Sequence, residues 1–134
     1  MIYVLDASAL IAYLRDESGA DLVEQILSDL GHTTVAHAIN FCEVYYDAYR
    51  VYGEVIAKQL LDGLIQAGVT PREDFSREFW QSAGRIKAVR RRISLADCCA
   101  VALAQSLNGA VVTCDHHEFD AVAAANLCAV QFIR

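Results

Sequence analysis

The stretch Ser94-Leu95-Ala96-Asp97-Cys98-Cys99-Ala100-Val101-Ala102-Leu103-Ala104, followed by Asn108-Gly109 and then Ala110-Val111-Val112-Thr113-Cys114-Asp115, decides the fold of this chain. Ser94 is a helix-capping residue, and the run from Leu95 to Leu107 holds no helix breaker. Asn108-Gly109 stops the helix, because both residues tolerate a left-handed backbone. Ala110 to Thr113 is then short, apolar and β-branched, which fits a buried strand. The strand runs out beside an acid, Asp115.

The same alternation extends outward in both directions. Ile2 to Leu5 is a short buried strand that ends at Asp6. Ser8 to Leu14 supplies a helical turn or two, with Ser8 in a position to cap it. Ala20 to Leu30 is amphipathic, with Leu22, Val23, Ile26, Leu27 and Leu30 at helical spacing and Gly31 as its stop. Thr33 to Ala36 is a second strand. Ile39 to Tyr52 and Val55 to Ala67 are helices closed by Gly53 and Gly68. The second of these is expected to pack Ile56, Leu60, Leu61, Leu64 and Ile65 inward. Val69 and Thr70 form a short extended piece before Pro71. Glu78 to Val89 is a helix carrying Phe79, Trp80, Ala83 and Ile86. Past Asp115, Phe119 to Asn126 is a short helix and Cys128 to Ile133 the last strand. Strands joined by helical crossovers predict an α/β fold, a three-layer α/β/α sandwich around a parallel sheet.

Composition bounds the rest. The 134 residues suffice for one domain, residues 1–134, and 55% of them are hydrophobic. That fraction fills a core easily and leaves apolar surface for an interface. Apolar runs are interrupted by Asp6 in one case and by Gln105, Asn108 and Gly109 in another, so no membrane span is expected. No basic segment precedes the first apolar run, which argues against a secretory signal and for a soluble cytoplasmic protein. The cysteines, Cys42, Cys98, Cys99, Cys114 and Cys128, are odd in number and lack a C-x-x-C pair; they read as reduced thiols. The net charge of -6 disfavours binding of nucleic acid by bulk electrostatics. One basic run nevertheless stands directly before Asp97: Arg85, Lys87, Arg90, Arg91 and Arg92. It is either a solvated helix end or a patch that tracks phosphates.

In open parallel sheets, ligands bind at the carboxyl ends of the strands. Asp6 and Asp115 both follow strands, so a parallel sheet brings them to one rim. Asp97 is the third residue of a helix that Ser94 caps. It completes a capping box, with Asp where Glu or Gln is usual, or it is a carboxylate kept ionised by the helix N-terminus. Glu43 lies among Phe41, Cys42, Val44, Tyr45 and Tyr46, so it is either solvated or paired. Asn40, three residues earlier, is placed to hydrogen-bond it. Ser8 and Thr113 each stand two residues from an acid. Asp120 is acidic and nearby but peripheral. Carboxylates gathered at one rim repel each other unless cations hold them, and oxygen donors suit Mg²⁺ or Mn²⁺. A water on such a cation becomes a nucleophile near neutral pH.

Four segments together resemble the PIN domain and, within it, the VapC-type toxin ribonucleases. Val4 to Ala12 (V-L-D-A-S-A-L-I-A) looks like the family's first strand and its Asp. Ile39 to Tyr46 (I-N-F-C-E-V-Y-Y) looks like its Asn-x-x-Glu helix. Ser94 to Ala104 is similar to its Ser-Leu-x-Asp helix start, and Val111 to Phe119 to its Thr-x-Asp strand end. The resemblance runs from end to end of the chain. It implies Mg²⁺- or Mn²⁺-dependent cleavage of RNA that leaves 5′-phosphate ends. Asp6, Glu43, Asp97 and Asp115 would be the catalytic, metal-binding acids. Ser8, Asn40 and Thr113 would brace them or position water, while the Arg85 to Arg92 run keeps its two readings, a solvated helix end or a patch that leads RNA phosphates into the site. It further implies a homodimer silenced by a small cognate antitoxin.

Other readings meet specific obstacles. A receiver-type phosphoacceptor domain needs a lysine at a late strand end, and Lys58 and Lys87 both fall in helices. A haloacid-dehalogenase-type phosphatase needs Asp-x-Asp, where this chain has Asp6-Ala7-Ser8. Zinc bound by Cys114, His116 and His117 would require adjacent histidines to face one ion. A PIN-fold RNA-processing nuclease outside a toxin–antitoxin pair stays open, as does a binding module that does not cut. Loss of an acid would mark the latter, and all four acids are present.

Overall fold

A computed structural model describes residues 1–134. The chain alternates as β1 (Ile2–Leu5), α1 (Ala7–Leu14), α2 (Ala20–Ser28), β2 (Thr33–His37), α3 (Ala38–Tyr52), α4 (Glu54–Gln66), β3 (Val69–Arg72), α5 (Arg77–Val89), α6 (Leu95–Leu107), β4 (Ala110–Thr113), α7 (His116–Ala124) and β5 (Ala129–Phe132). The five strands form one sheet in the order β3-β2-β1-β4-β5, and every pair is parallel. Helices cover both faces, as expected for an α/β/α sandwich.

The two-residue period of the central strands divides the interior. Val4, Val35 and Val111 stand side by side in register and point to one face. There they meet Phe79, Ala83 and Ile86 of α5, the run Cys98 to Ala104 of α6, and Phe119 and Val122 of α7. Leu5, Ala36 and Val112 point the other way, against Leu10 of α1, Val23 and Ile26 of α2, Val44 of α3 and Leu64 of α4. All seven residues from Cys98 to Ala104 are buried, which explains why α6 is apolar around its circumference rather than along one stripe.

Topology sets the position of the site. After β1 the chain winds outward through β2 to β3, then crosses back to β4 on the opposite side of β1. The carboxyl ends of β1 and β4 therefore flank the point where the winding reverses, the preferred place for a ligand. Gly109 permits this pairing: a Cβ there would lie 2.6 Å from the Ile2 carbonyl oxygen.

Several local expectations are corrected. α2 ends at Ser28, because the Asp29 side chain accepts a hydrogen bond from the Gly31 N–H at 2.8 Å and turns the chain early. Leu30 is consequently fully exposed. Ile56 and Ile65 also face outward, since α4 covers the sheet edge through Ala57 and Leu64, with Leu61 partly buried beside them. The piece containing Pro71 is a true strand, tolerated because β3 is an edge paired only to β2. No disulfide forms: Cys98 and Cys99 are buried, Cys114 and Cys128 partly so, and Cys42 is exposed. No helix is long and apolar enough to cross a membrane.

Candidate active site

Asp6 leaves the end of β1 and turns back into the protein. Its carboxylate caps α1, accepting the Ala9 N–H at 2.9 Å; Asp6, not Ser8, is the capping residue. The Ser8 hydroxyl donates to Oδ1 at 2.7 Å and the Thr113 hydroxyl to Oδ2 at 2.6 Å. Each hydroxyl also accepts a backbone N–H from β4's exit, Ser8 that of Cys114 at 3.1 Å and Thr113 that of Asp115 at 3.0 Å. Ser8 and Thr113 thus tie the ends of β1 and β4 together around one carboxylate. Asp6 is only 1% exposed. Burial pushes its pKa up to about 6 despite the three hydrogen bonds, and the nearby Asp115 charge adds to the rise.

Asp97 meets Asp115 and Glu118 across the rim. One carboxylate oxygen from each lies within 4.8 Å of the others. Ser94 caps α6 by accepting the Asp97 N–H at 3.1 Å. The return bond of a capping box would come from Asp97, but Glu118 of α7 makes it instead: Oε1 accepts the Ser94 N–H at 3.3 Å. The Asp97 side chain is thereby released into the cluster. Desolvation, the neighbouring Glu118 carboxyl, and the charges of Asp6, Glu118 and Glu43 push its pKa up to about 10. Asp115 caps α7 through the Glu118 N–H at 3.1 Å, which moves the start of that helix from the expected Phe119 to His116.

Glu43 is half-buried on α3. Its pKa is raised by burial and then by the charges of Asp6 and Glu118, which sets it in the same electrostatic group. Asn40 does not bond Glu43. It is fully buried, and its Oδ1 accepts the Ala7 N–H at 3.3 Å, fixing the backbone just after Asp6. Its Nδ2 has no partner.

Glu118 was not among the acids singled out in the sequence. A signal for it existed: Asp115-His116-His117-Glu118 has the spacing of a helix start with an acid at its third position. The zinc alternative fails because His116 is otherwise engaged. Its ring bonds Asp120 and the Arg134 carbonyl, both at 2.8 Å, and stacks on Phe132 at 3.9 Å. Asp120 serves that histidine and lies outside the cluster.

The basic run divides by role. Lys87 spans the α5–α6 turn, donating to the carbonyls of Arg91 at 2.8 Å and Ile93 at 2.7 Å. Arg85 is exposed on α5, whereas Arg90, Arg91 and Arg92 form the turn itself.

The donors of the cluster are all carboxylate oxygens, the hard ligands that Mg²⁺ and Mn²⁺ take. Glu118 Oε2 is buried and has no hydrogen-bond partner. A buried carboxylate oxygen left bare, beside acids that bind protons well above their ordinary range, fits a divalent cation.

No curated protein matches this chain in sequence. In fold it is similar to VapBC-1 from nontypeable Haemophilus influenzae, at 21% identity and a TM-score of 0.73, covering 99% of this chain and 98% of that one. It is similar also to VapBC2 from Rickettsia felis, solved with a DNA fragment from its promoter, at 16% identity and a TM-score of 0.75 over 98% of each chain. DNA-bound VapBC from Salmonella typhimurium gives 15% identity and a TM-score of 0.74 over 100% and 99% of the two chains. The likeness at these identities is one of fold. The PIN domain itself matches residues 3–125, a span that runs from β1 to just past α7 and takes in every carboxylate of the cluster; this chain belongs to the PIN domain family.

Proposed function

We propose that the chain, acting as one domain, is a divalent-metal-dependent endoribonuclease and the toxin of a type II toxin–antitoxin pair. The observation that carries this reading is the Asp97–Asp115–Glu118 cluster beside the buried Asp6, at the point where the sheet's winding reverses. Asp6, Glu43, Asp97, Asp115 and Glu118 would hold Mg²⁺ or Mn²⁺. Such an ion, when bound, supplies a nucleophilic water and neutralises charge on the phosphodiester. A 5′-phosphate end would result if that water attacked phosphorus in line with the 3′-oxygen, whose P–O bond would break to leave a 3′-hydroxyl.

The protein's own groups prepare that chemistry. Ser8 and Thr113 fix both oxygens of Asp6, so the carboxylate cannot rotate away. Asn40 holds the chain immediately after it. The crowding that raises the Asp97 pKa would be relieved if a cation were held between Asp97 and Glu118.

A small antitoxin partner is proposed because the similar folds described above were solved as VapBC assemblies. A homodimer is proposed on the exposed apolar face of α3 and α4, where Tyr46, Tyr49, Val55 and Ile56 are 45–70% exposed. The reading sets the protein in the cytoplasm, where RNA is available and unpaired thiols persist.

The deciding experiment is Asp97→Asn. It preserves shape and the Ser94 cap while removing one charge. RNA cleavage should fall by orders of magnitude, and stabilisation by Mn²⁺ should shrink, while the protein stays folded. Full cleavage by a folded Asp97→Asn would leave Asp97 a helix-start residue and overturn the reading.

A further inference from the structure

The turn from α5 to α6 carries three consecutive arginines, Arg90, Arg91 and Arg92. They line a cleft of about 280 Å³ that also includes His117 and Glu118. Glu118 belongs to the acid cluster as well, so one side chain is shared by the cleft and the site.

Three features set this cleft apart from an ordinary basic surface. The chain has 17 acidic side chains against 11 Lys and Arg, and Arg15, Arg50, Arg72 and Arg134 each hold a carboxylate. Arg90, Arg91 and Arg92 hold none, and unlike the equally unpaired Arg77 and Arg85 they stand consecutively in one turn. The turn is also braced from beneath: the Ile93 N–H donates to the Arg90 carbonyl at 3.0 Å, and Lys87 takes the carbonyls of Arg91 and Ile93. A fourth cation, Lys87, thus braces the turn that holds three like charges together. Finally, the two walls carry opposite unmet needs. Arg90 Nε and Glu118 Oε2 are both buried without a hydrogen-bond partner, and they do not pair with each other. A cation on Glu118 and an anion on Arg90 would satisfy both.

We propose that this cleft is a phosphate subsite, holding one phosphodiester of single-stranded RNA next to the bond cut at the acid cluster. The inference rests on the nuclease reading and names the part of that site which grips the substrate. A guanidinium presents a planar fork of donors that matches phosphate oxygens, and three such groups exceed what one peptide carboxylate requires. The arrangement also reconciles a protein of net charge -6 with a polyanionic substrate: the positive charge is concentrated in one turn beside the site.

The test measures binding, not cleavage. The full chain is kept in chelator, and a fluorescent single-stranded oligoribonucleotide is titrated by anisotropy over a range of salt. Arg91→Gln and Arg92→Gln should each weaken binding several-fold, and the two together by about tenfold or more. Removing one arginine–phosphate pairing should reduce the slope of log K against log salt by about 0.7. Arg90→Lys, which keeps charge but loses the fork, should also weaken binding. Arg77→Gln, an exposed residue at the far end of α5 and outside the cleft, should leave affinity and slope unchanged, and melting temperatures should confirm that all variants are folded. The proposal is overturned if the wild type shows no binding at low salt, if the Arg91 and Arg92 variants bind as the wild type does, or if Arg77→Gln weakens binding as much as they do. RNA binding that persists in the Arg91 and Arg92 variants while binding of an acidic peptide disappears would assign the cleft to a protein partner instead. Failure of the nuclease reading has a separate mark, absence of metal-stimulated cleavage by the wild type, which these binding measurements do not involve.

Discussion

The backbone N–H of Ser94 donates to Oε1 of Glu118 at 3.3 Å, across 24 residues of sequence. This one bond exchanges the roles of two acids. Glu118 takes over half of the α6 capping box, and Asp97 becomes free to join the carboxylate cluster. The bond also anchors α7 to α6 at the rim, so the cluster's geometry depends on a helix cap.

Glu118→Gln separates the two functions of that residue. The amide oxygen can still accept the Ser94 N–H, so the fold and the α6 cap should survive. Loss of the charge should relieve repulsion on Asp97 and leave metal-free stability unchanged or higher. Affinity for Mn²⁺ should fall by about 10- to 100-fold, with cleavage falling alongside. Calorimetric titration of Mn²⁺ together with thermal melts checks this, and wild-type affinity in the variant would remove Glu118 from the metal site.

Stability of the metal-free protein should depend on pH in an unusual direction. Asp6 is pushed up from 3.8 to about 6, and Asp97 to about 10. Both bind protons more tightly folded than unfolded. Their stabilising contribution is complete below the unfolded carboxylate range and is lost as pH rises through the folded values. For Asp6 alone the loss amounts to about 3 kcal/mol. Melting temperature in chelator should therefore fall from about pH 4 upward, most steeply between about pH 4 and pH 6 where both acids contribute, and more gently toward about pH 10. Saturating Mn²⁺ should recover most of the difference at the higher pH. A flat profile in chelator would show that the acids are not crowded in solution.

Thr113→Val removes a hydroxyl with little change of shape. That hydroxyl donates to Asp6 at 2.6 Å and accepts from the Asp115 N–H at 3.0 Å. Its loss leaves a buried carboxylate oxygen and a backbone N–H without partners, at a cost of about 1–3 kcal/mol. Urea denaturation should register this, and Thr113→Ser should restore most of it by returning the hydroxyl.

Assembly is tested on α4. Val55 is 70% exposed on the apolar α3–α4 face. Light scattering of the wild type should give twice the 14.7 kDa chain mass, and Val55→Asp should shift it to the single-chain mass without unfolding it. A wild type that stays monomeric at high concentration would exclude this face as a dimer interface.

The order of strands and helices, and the position of Asp6, Asp97 and Asp115 at element ends, can be read from the linear chain because those features are local. The helical run from Leu95 to Leu107, its Asn108-Gly109 stop and the strand Ala110 to Thr113 are written in adjacent residues, and a parallel sheet carries strand-end acids to a common rim. Which partner each polar group takes depends instead on how the elements pack. Ser8 and Asn40 were legible as helpers of the site, yet their bonds run to Asp6 and to the Ala7 backbone, because α3 packs against α1 just past the end of β1. Lys87 resembled its arginine neighbours until the turn folded two carbonyls onto it. Leu30, Ile56 and Ile65 had the right spacing for a core and remain exposed, since periodicity names a helix face but cannot supply the element that covers it. Glu118 was hidden for the same reason: its two bonding positions are a backbone N–H and an acid 24 and 21 residues earlier, and only the packing of α7 against α6 brings them within reach.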